Sequence, residues 1–166
     1  MHIWIDTDIG DDIDDILTIS WAVKNNTEIV GISTVYRQAR ERLAIVNELL
    51  KDEGKDEIKI YEGYSETVSE DALRVGKLNY ASSFPVEGND PENAVDALLH
   101  AVSKFDDLVV LAIGAQTNIA KACQKAPEIM KNAKIVIMGG AFFCHTAEWN
   151  IVCDPMAAKI VSLSGA

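Results

Sequence analysis

Short apolar runs rich in β-branched residues alternate along this chain with segments whose apolar residues recur at helical spacing. This alternation is typical of α/β folds, in which helices connect neighbouring parallel strands. Two of the runs, residues 108–113 and 135–138, are apolar on both faces. Because such strands need cover on both sides, the sequence predicts an open, mostly parallel sheet with helices on both faces.

The individual elements follow from apolar spacing and from turn residues. The predicted strands are residues 2–7, 28–35, 58–61, 108–113 and 135–138. The predicted helices begin at Asp14, cover 40–52, 90–104 and 117–123, and include a short one after Pro127 and a final one opened by Asp154 and Pro155. Residues 62–90 are the longest stretch predicted to be irregular. Because ligands bind at the carboxyl ends of strands in open α/β sheets, we expect a functional site in the loops that follow these strands.

The length of 166 residues fits one domain with its own core. Asp and Glu outnumber Lys and Arg by 26 to 15, so the net charge is −11, which argues against nucleic acid or an anionic membrane as a partner. No apolar run reaches the roughly 18 residues of a membrane span, and the N-terminus lacks a signal-peptide pattern. The three cysteines show no Cys-x-x-Cys spacing, so we expect reduced thiols and a cytoplasmic location.

Six aspartates lie between residues 6 and 15, in the turn that joins the first predicted strand to the first predicted helix, and no Lys or Arg precedes Lys24. Two carboxylates about 6 Å apart repel by about 3 kcal/mol at an effective dielectric constant of about 20. Such a group therefore either raises its pKa values or binds a cation, unless it is only a solvated acidic loop. Asp6 is expected to be structural, Asp12 to be a helix N-cap or a ligand, and Asp154 to be a helix cap.

Four segments resemble the Ca²⁺-dependent inosine-uridine-type nucleoside hydrolases. The first, residues 6–15, is similar to the aspartate fingerprint that follows the first strand of that family. The third segment, residues 112–120, looks like the family's Gly-x-Leu-Thr-Asn-Ile-Ala turn. The segments are residues 6–15, 31–36, 112–120 and 137–158, in the order in which the family has them. The resemblance implies that the chain hydrolyses the N-glycosidic bond of ribonucleosides with a calcium-activated water.

The resemblance also implies roles for individual residues. Asp8 would bind the metal and take the proton of the water, Asp15 would be the second carboxylate ligand, and Thr117 would donate its backbone carbonyl. The residues implied to contact ribose are Asp14, Glu148 and Asn150, which would bond its hydroxyls, and Met138, which would pack near the sugar. A small nucleoside is therefore the expected partner.

The chain also departs from the family's pattern. The aspartate fingerprint is two residues longer than its common form, and Arg37-Gln38 stands where many members have Gly-Asn. Family members run to nearly double this length, and their later half carries a further metal-binding Asp and a His near the leaving base. A catalytically incomplete or truncated family member is therefore the main alternative, and such a chain could associate with a second copy to cover an exposed sheet edge. A remote alternative is a Mg²⁺-dependent phosphatase of the haloacid-dehalogenase type, suggested by Asp6-x-Asp8.

Overall fold

The computed structural model describes residues 1–70, 90, 92–143 and 145–166, and within these ranges the strands form one parallel sheet in the order β3-β2-β1-β4-β5. The strands are β1 (His2–Thr7), β2 (Glu28–Thr34), β3 (Ile60–Tyr61), β4 (Val109–Ala112) and β5 (Lys134–Ile137). The helices are α1 (Asp14–Lys24), α2 (Ala39–Asp52), α3 (Glu92–Lys104), α4 (Thr117–Lys125), α5 (Pro127–Met130), α6 (Trp149–Cys153) and α7 (Pro155–Ser162). The predicted parallel α/β sheet is confirmed.

Helices cover both faces of the sheet, as the apolar runs predicted. Successive side chains of β1 alternate between the faces, so Trp4 packs on one side and Ile5 on the other. The core on the Trp4 side is closed by α3, α4, α5 and α7. The core on the Ile5 side is closed by α1 and α2. Gly31 of β2 faces the Trp4 ring, which occupies the space that a Cβ would need.

The chain direction through the sheet creates a crevice at one edge. After β1 the chain runs through α1 to β2, which pairs with one side of β1. Strand β4 pairs with the other side of β1. The loops after β1 and β4 therefore diverge at the carboxyl ends of these strands. In doubly wound sheets, this switch in strand order is where ligands bind.

Strand β5 differs from its prediction as a strand covered on both sides. It lies at the end of the sheet, and Val136 is 53% exposed on the Ile5 side. Ile135 and Ile137 pack against the core on the Trp4 side. On the Ile5 side, α1 and α2 pack over β1 and β2, and no helix among the described residues covers β5. The apolar side chains Leu17 and Trp21 on the outer face of α1 are also exposed.

Most predicted boundaries agree with the observed ones within two residues, and the differences are local. Helix α6 was not predicted, and β3 is only two residues long. Asp90 accepts a hydrogen bond from the backbone N–H of Glu92 at 3.0 Å and thereby caps α3. Pro91 and residues 71–89 of the predicted irregular stretch lie outside the described residues, as does Cys144. The described cysteines, Cys123 and Cys153, are free thiols.

Candidate functional site

The aspartate-rich turn, residues 8–15, begins where β1 ends and is held at both of its ends. The Thr7 hydroxyl donates a hydrogen bond to Asp15 at 2.5 Å, and it accepts one from the backbone N–H of Ile9 at 3.1 Å. Asp15 stands in the first turn of α1, which begins after Ile13 without a side-chain cap. Asp12 is therefore not the helix N-cap, one of the two roles predicted for it.

A small cavity of about 50 Å³ brings most of the predicted site residues together. It lies at the switch in strand order, between the aspartate-rich turn, Ile113 after β4 and Met138 after β5. The predicted residues in its lining are Asp8, Asp14, Asp15, Met138, Glu148 and Asn150, which are joined by Asp11, Asp12, Ile113 and Trp149. Thr117 is not among the residues that line it.

Asp8 and Asp15 are buried in this lining, whereas Asp12 is exposed. Burial and the neighbouring charge of Asp15 raise the pKa of Asp8 to about 8. Burial and Asp14 raise the pKa of Asp15 to about 6, against the hydrogen bond from Thr7. A hydrogen bond with Asp14, followed by burial, raises the pKa of Asp12 to about 6. The surroundings therefore disfavour the ionised form of these three carboxyl groups.

The carboxylates also lie close enough together to share a cation. Oxygen atoms of Asp12, Asp14 and Asp15 all lie within 4.8 Å of one another. Asp8 can lie against the end of β4 because position 114 is a glycine: a Cβ there would be 2.7 Å from the Asp8 backbone nitrogen and 2.9 Å from its Oδ1. A donor set made of carboxylate oxygens suits hard divalent cations such as Ca²⁺. The aspartate-rich turn is thus compatible with a metal site.

Glu148 and Asn150 enter the cavity from the start of α6. The carboxylate of Glu148 caps this helix and accepts hydrogen bonds from the backbone N–H groups of Asn150 and Ile151 at 3.1 and 2.9 Å. The side-chain amide of Asn150 donates to the carbonyls of Ile113 and Met138 at 2.8 and 3.0 Å. Each Glu148 oxygen accepts one of these bonds, which leaves further acceptor capacity on both oxygens.

Thr117 and Asp154 form a separate buried network. The Thr117 hydroxyl donates to Asp154 at 2.7 Å, and Ser69 and the backbone N–H groups of Val68 and Ala157 donate to the same carboxylate. Burial raises the pKa of Asp154, but these hydrogen bonds outweigh it and hold the pKa below its ordinary value. The predicted cap of α7 is confirmed, whereas a carbonyl of Thr117 as a metal ligand stays a prediction.

Asp6 is fully buried, as expected for a structural residue. Its Oδ1 accepts hydrogen bonds from Ser33 at 2.5 Å and from Asn118 at 2.7 Å, and Ser33 in turn accepts one from the Trp4 indole. Burial raises the pKa of Asp6 to about 7 against these two hydrogen bonds. An enclosed carboxyl of this kind does not fit the exposed nucleophile of a haloacid-dehalogenase phosphatase.

Sequence reasoning missed four residues of the site, Asp11, Arg42, Trp149 and Ile113. Arg42 donates hydrogen bonds to the backbone of the aspartate-rich turn, and its positive charge lowers the pKa of Asp8 and Asp15. The burial of Arg42 could have been predicted from the sequence. Residues 39, 42, 43 and 46 fall on the apolar face of α2, and an arginine on that face must be buried. Trp149 had no comparable signal, since five-residue α6 is too short for a helical period.

Comparison with known proteins identifies a family and solved structures of the same fold. The profile of the family described as inosine-uridine preferring nucleoside hydrolase matches residues 3–166. A probable uridine nucleosidase 1 of Oryza sativa subsp. japonica is 37% identical, and the match covers 98% of this chain and 55% of the relative. Uridine nucleosidase 1 of Arabidopsis thaliana is 33% identical, with coverage of 98% and 53%.

A solved structure agrees with these sequence relatives. The purine-preferring ribonucleoside hydrolase from Gardnerella vaginalis superposes with a TM-score of 0.84 at 33% identity, covering 100% of this chain and 58% of that one. The chain thus spans little more than half the length of the relatives that it matches. Because the family profile extends over nearly every residue, the chain belongs to the inosine-uridine preferring nucleoside hydrolase family.

Proposed function

We propose that this chain hydrolyses the N-glycosidic bond of ribonucleosides to ribose and free base, and that residues 1–166 form one α/β domain. The observation that carries the proposal is the cavity at the switch in strand order, which gathers Asp8, Asp14, Asp15, Met138, Glu148 and Asn150. These are the residues for which the family resemblance implies metal and ribose contacts. The names of the relatives, a uridine nucleosidase and a purine-preferring hydrolase among them, support the same reaction class.

In this proposal Asp8 and Asp15 would hold a calcium ion together with the backbone carbonyl of Thr117. The all-oxygen donor set and the raised pKa values of the crowded carboxyls support a divalent cation at this place. When bound, calcium would lower the pKa of the attacking water. The aspartates would then be ionised at neutral pH, because a nearby positive charge favours the charged form of a carboxyl.

Asp8 is the proposed general base. It is buried and lines the cavity, and Gly114 allows it to approach the end of β4 closely. A carboxylate there would accept the proton of the attacking water. Cleavage of an N-glycosidic bond passes through an oxocarbenium-like state at the sugar, and the negative charge of the surrounding aspartates would stabilise the positive charge that develops.

The remaining cavity residues are proposed to position the sugar. Asp14 and Glu148 offer carboxylate oxygens to ribose hydroxyls, and Asn150 is held in place by its bonds to two backbone carbonyls. Met138 and Trp149 supply apolar surface beside these polar groups. Fixing the sugar in this way would bring the reacting carbon into line with the water, which lowers the entropic part of the barrier.

The alternative is a catalytically incomplete or truncated family member, which would bind calcium without hydrolysing nucleosides. It is favoured by one observation, the share of the relatives' length that the chain spans, which is 55% and 53% for the two plant proteins.

For location we propose the cytoplasm, supported by the free thiols of Cys123 and Cys153. No helix in the part of the chain that the structure describes is long and apolar enough to cross a membrane.

Calorimetric titration of calcium into the metal-free chain tests the metal site. Wild type, Asp15→Asn and Asp106→Asn would be compared. Asp106 is an exposed aspartate that precedes the amino end of β4, whereas the cavity lies at the carboxyl ends of the strands, and its replacement removes the same charge. We expect binding by wild type and by Asp106→Asn, and a loss of at least about 100-fold in affinity for Asp15→Asn. Equal binding by all three proteins would contradict the proposed ligands.

Release of free base from uridine and inosine then tests the reaction. Hydrolysis that depends on calcium and disappears in Asp8→Asn would support the full proposal. Calcium binding without base release would support the alternative, a binding half without turnover. Absence of both from wild type would refute both readings of the site.

A further inference from the structure

Arg42 in α2 is an arginine in an unusual environment, because its side chain is 2% exposed. Arginine is almost never fully buried unless its charge and its N–H groups are paired. Its partners identify what it stabilises, and they come from two loops that follow neighbouring strands. One is the aspartate-rich turn after β1, and the other is the turn of residues 36–38 after β2.

Toward the aspartate-rich turn, Arg42 makes three contacts. Its Nη1 donates to the backbone carbonyls of Asp8 and, at 3.0 Å, Ile9. Its Nη2 donates to the carboxylate of Asp11 at 3.0 Å. Two of the three acceptors are therefore backbone atoms at the start of the turn, so the guanidinium fixes the path of the chain from which the Asp8 side chain projects.

Toward the second turn, Nε of Arg42 donates to the carbonyl of Tyr36 at 2.8 Å and approaches that of Arg37 at 3.4 Å. The backbone φ angles of Tyr36, Arg37 and Gln38 are 64, 43 and 32°. Three consecutive residues other than glycine in the left-handed region are unfavourable by themselves, so contacts from elsewhere must hold them there. Arg42 supplies such contacts, together with backbone bonds from Tyr36 and Arg37 to the carbonyls of Tyr64 and Ser65.

We propose that Arg42 is a positioning residue that joins these two turns and thereby sets the orientation of Asp8 toward the bound calcium. The inference rests on the proposed metal site, which it deepens. A planar guanidinium can serve acceptors in both turns at once, whereas the single amine of lysine cannot, so geometry and not charge alone is what this position requires. Arg42 itself is not among the residues that line the cavity.

Calcium affinity of the whole chain tests the proposal, with Arg42→Ala and Arg42→Lys compared with Arg40→Ala. Arg40 stands on the same helix, but its side chain is 62% exposed and pairs with Glu62 at 3.2 Å. We expect both Arg42 variants to lose on the order of 10–100-fold in affinity, as is usual for residues that orient metal ligands, and Arg40→Ala to retain it. Unchanged affinity in folded Arg42→Ala would overturn the proposal.

Addition of guanidinium ion at millimolar concentration separates positioning from a general loss of packing. We expect it to restore calcium affinity in Arg42→Ala, because the free ion can occupy the space of the missing side chain and donate to the same carbonyls. Ammonium ion at the same concentration should not restore it. Equal restoration of calcium affinity by the two ions would show that charge alone matters and would contradict the proposal. Wild-type calcium affinity in Arg42→Lys would contradict it in the same way.

Hydrogen exchange of the metal-free proteins gives a second readout that does not need calcium. In Arg42→Ala we expect faster amide exchange in residues 8–13 and 35–38, with exchange of α3 unchanged. If wild type binds no calcium, the proposed metal site fails, and this exchange pattern decides whether Arg42 joins the two turns. Unchanged exchange in both turns, or global unfolding of both Arg42 variants, would overturn the proposal.

Discussion

Asp154 and Asp8 are both buried near the carboxyl edge of the sheet, but their surroundings differ. Asp154 accepts five hydrogen bonds, from Val68, Ser69 (two), Thr117 and Ala157, and its pKa lies below the ordinary value. Asp8 faces other aspartates, and its pKa rises to about 8. Burial alone therefore does not make a carboxylate a functional group. The number of donors around it decides whether its charge stabilises the fold or is available to a ligand.

The largest expected change in the free energy of unfolding is at Asp154, the carboxylate that is surrounded by hydrogen-bond donors. Replacing Asp154 by alanine leaves buried N–H and O–H groups without their acceptor, so we expect Asp154→Ala to lower the free energy of unfolding by roughly 3 kcal/mol or more. Urea denaturation at pH 7 measures this. Asp106→Ala, which removes an exposed aspartate, serves as the control and should change stability little. A loss below about 1 kcal/mol for Asp154→Ala would mean that its hydrogen bonds are not what distinguishes it from Asp8.

The opposite sign is expected at Asp8 in the metal-free protein. Its pKa of about 8 in the folded state exceeds the unfolded value near 3.9, so the folded state retains a proton that the unfolded chain releases between these limits. Wild-type stability should therefore fall as pH rises from about 4 to about 8. Asp8→Asn cannot ionise, and we expect it to be more stable than wild type by roughly 2 kcal/mol at pH 8 and by little at pH 4.

Thermal unfolding in a chelator at several pH values measures this crossover. Saturating calcium should reverse the order, because ligand binding stabilises the folded wild type and not the variant. A stability difference that does not change with pH would show that Asp8 is not strained by its charge.

A smaller gain is expected at Gln116, the residue before α4. Its side chain is buried, and neither amide atom has a hydrogen-bond partner among the residues that the structure describes. Unlike Asp8, Gln116 carries no charge and does not line the acidic cavity. We expect Gln116→Leu to raise the free energy of unfolding by about 1 kcal/mol and to leave calcium affinity unchanged. Gln124→Leu, at an exposed position of α4, is the matched control; a loss of stability in Gln116→Leu alone would indicate a polar partner.

The smallest effect is expected for a carboxylate that is exposed and paired. Glu128 bonds Lys131 at 2.7 Å, with both side chains largely in solvent. We expect Glu128→Gln to change the free energy of unfolding by less than about 0.5 kcal/mol, because exposed ion pairs gain little over their hydrated forms. Urea denaturation at low and high salt checks this. A change above about 1 kcal/mol would show that pairing matters even without burial, which the contrast between Asp154 and Asp8 does not predict.

The sheet and the location of the site were predictable because they depend on local patterns. Apolar runs mark β1 and β4, and the aspartates follow β1 directly, so their position at the carboxyl edge follows from the topology of a parallel sheet. The order of strands is not encoded in periodicity. Strand β5 was therefore predicted to be covered on both sides, although it lies at the end of the sheet with Val136 exposed.

The partners of individual side chains could be predicted only in part. Asp154 was expected to be a cap, and it is one, but its bonds to Ser69 and Thr117 join segments far apart in sequence. The contacts of Arg42 depend on the left-handed backbone conformation of residues 36–38. This conformation could not be predicted, because none of the three residues is a glycine. Glu148 was predicted for its carboxylate, whereas its bonds to the start of α6 required knowing that this helix exists.

Trp149 beside the acidic cavity also gives the protein a built-in optical reporter. The three tryptophans lie in three environments: Trp4 is 1% exposed in the core, Trp149 is 40% exposed and lines the cavity, and Trp21 is 66% exposed on α1. The emission of an indole depends on the polarity and charge around it. A cation entering the cavity would change the surroundings of Trp149 and leave those of Trp4 and Trp21 largely as they are. Fluorescence can therefore follow occupancy of the site without a label.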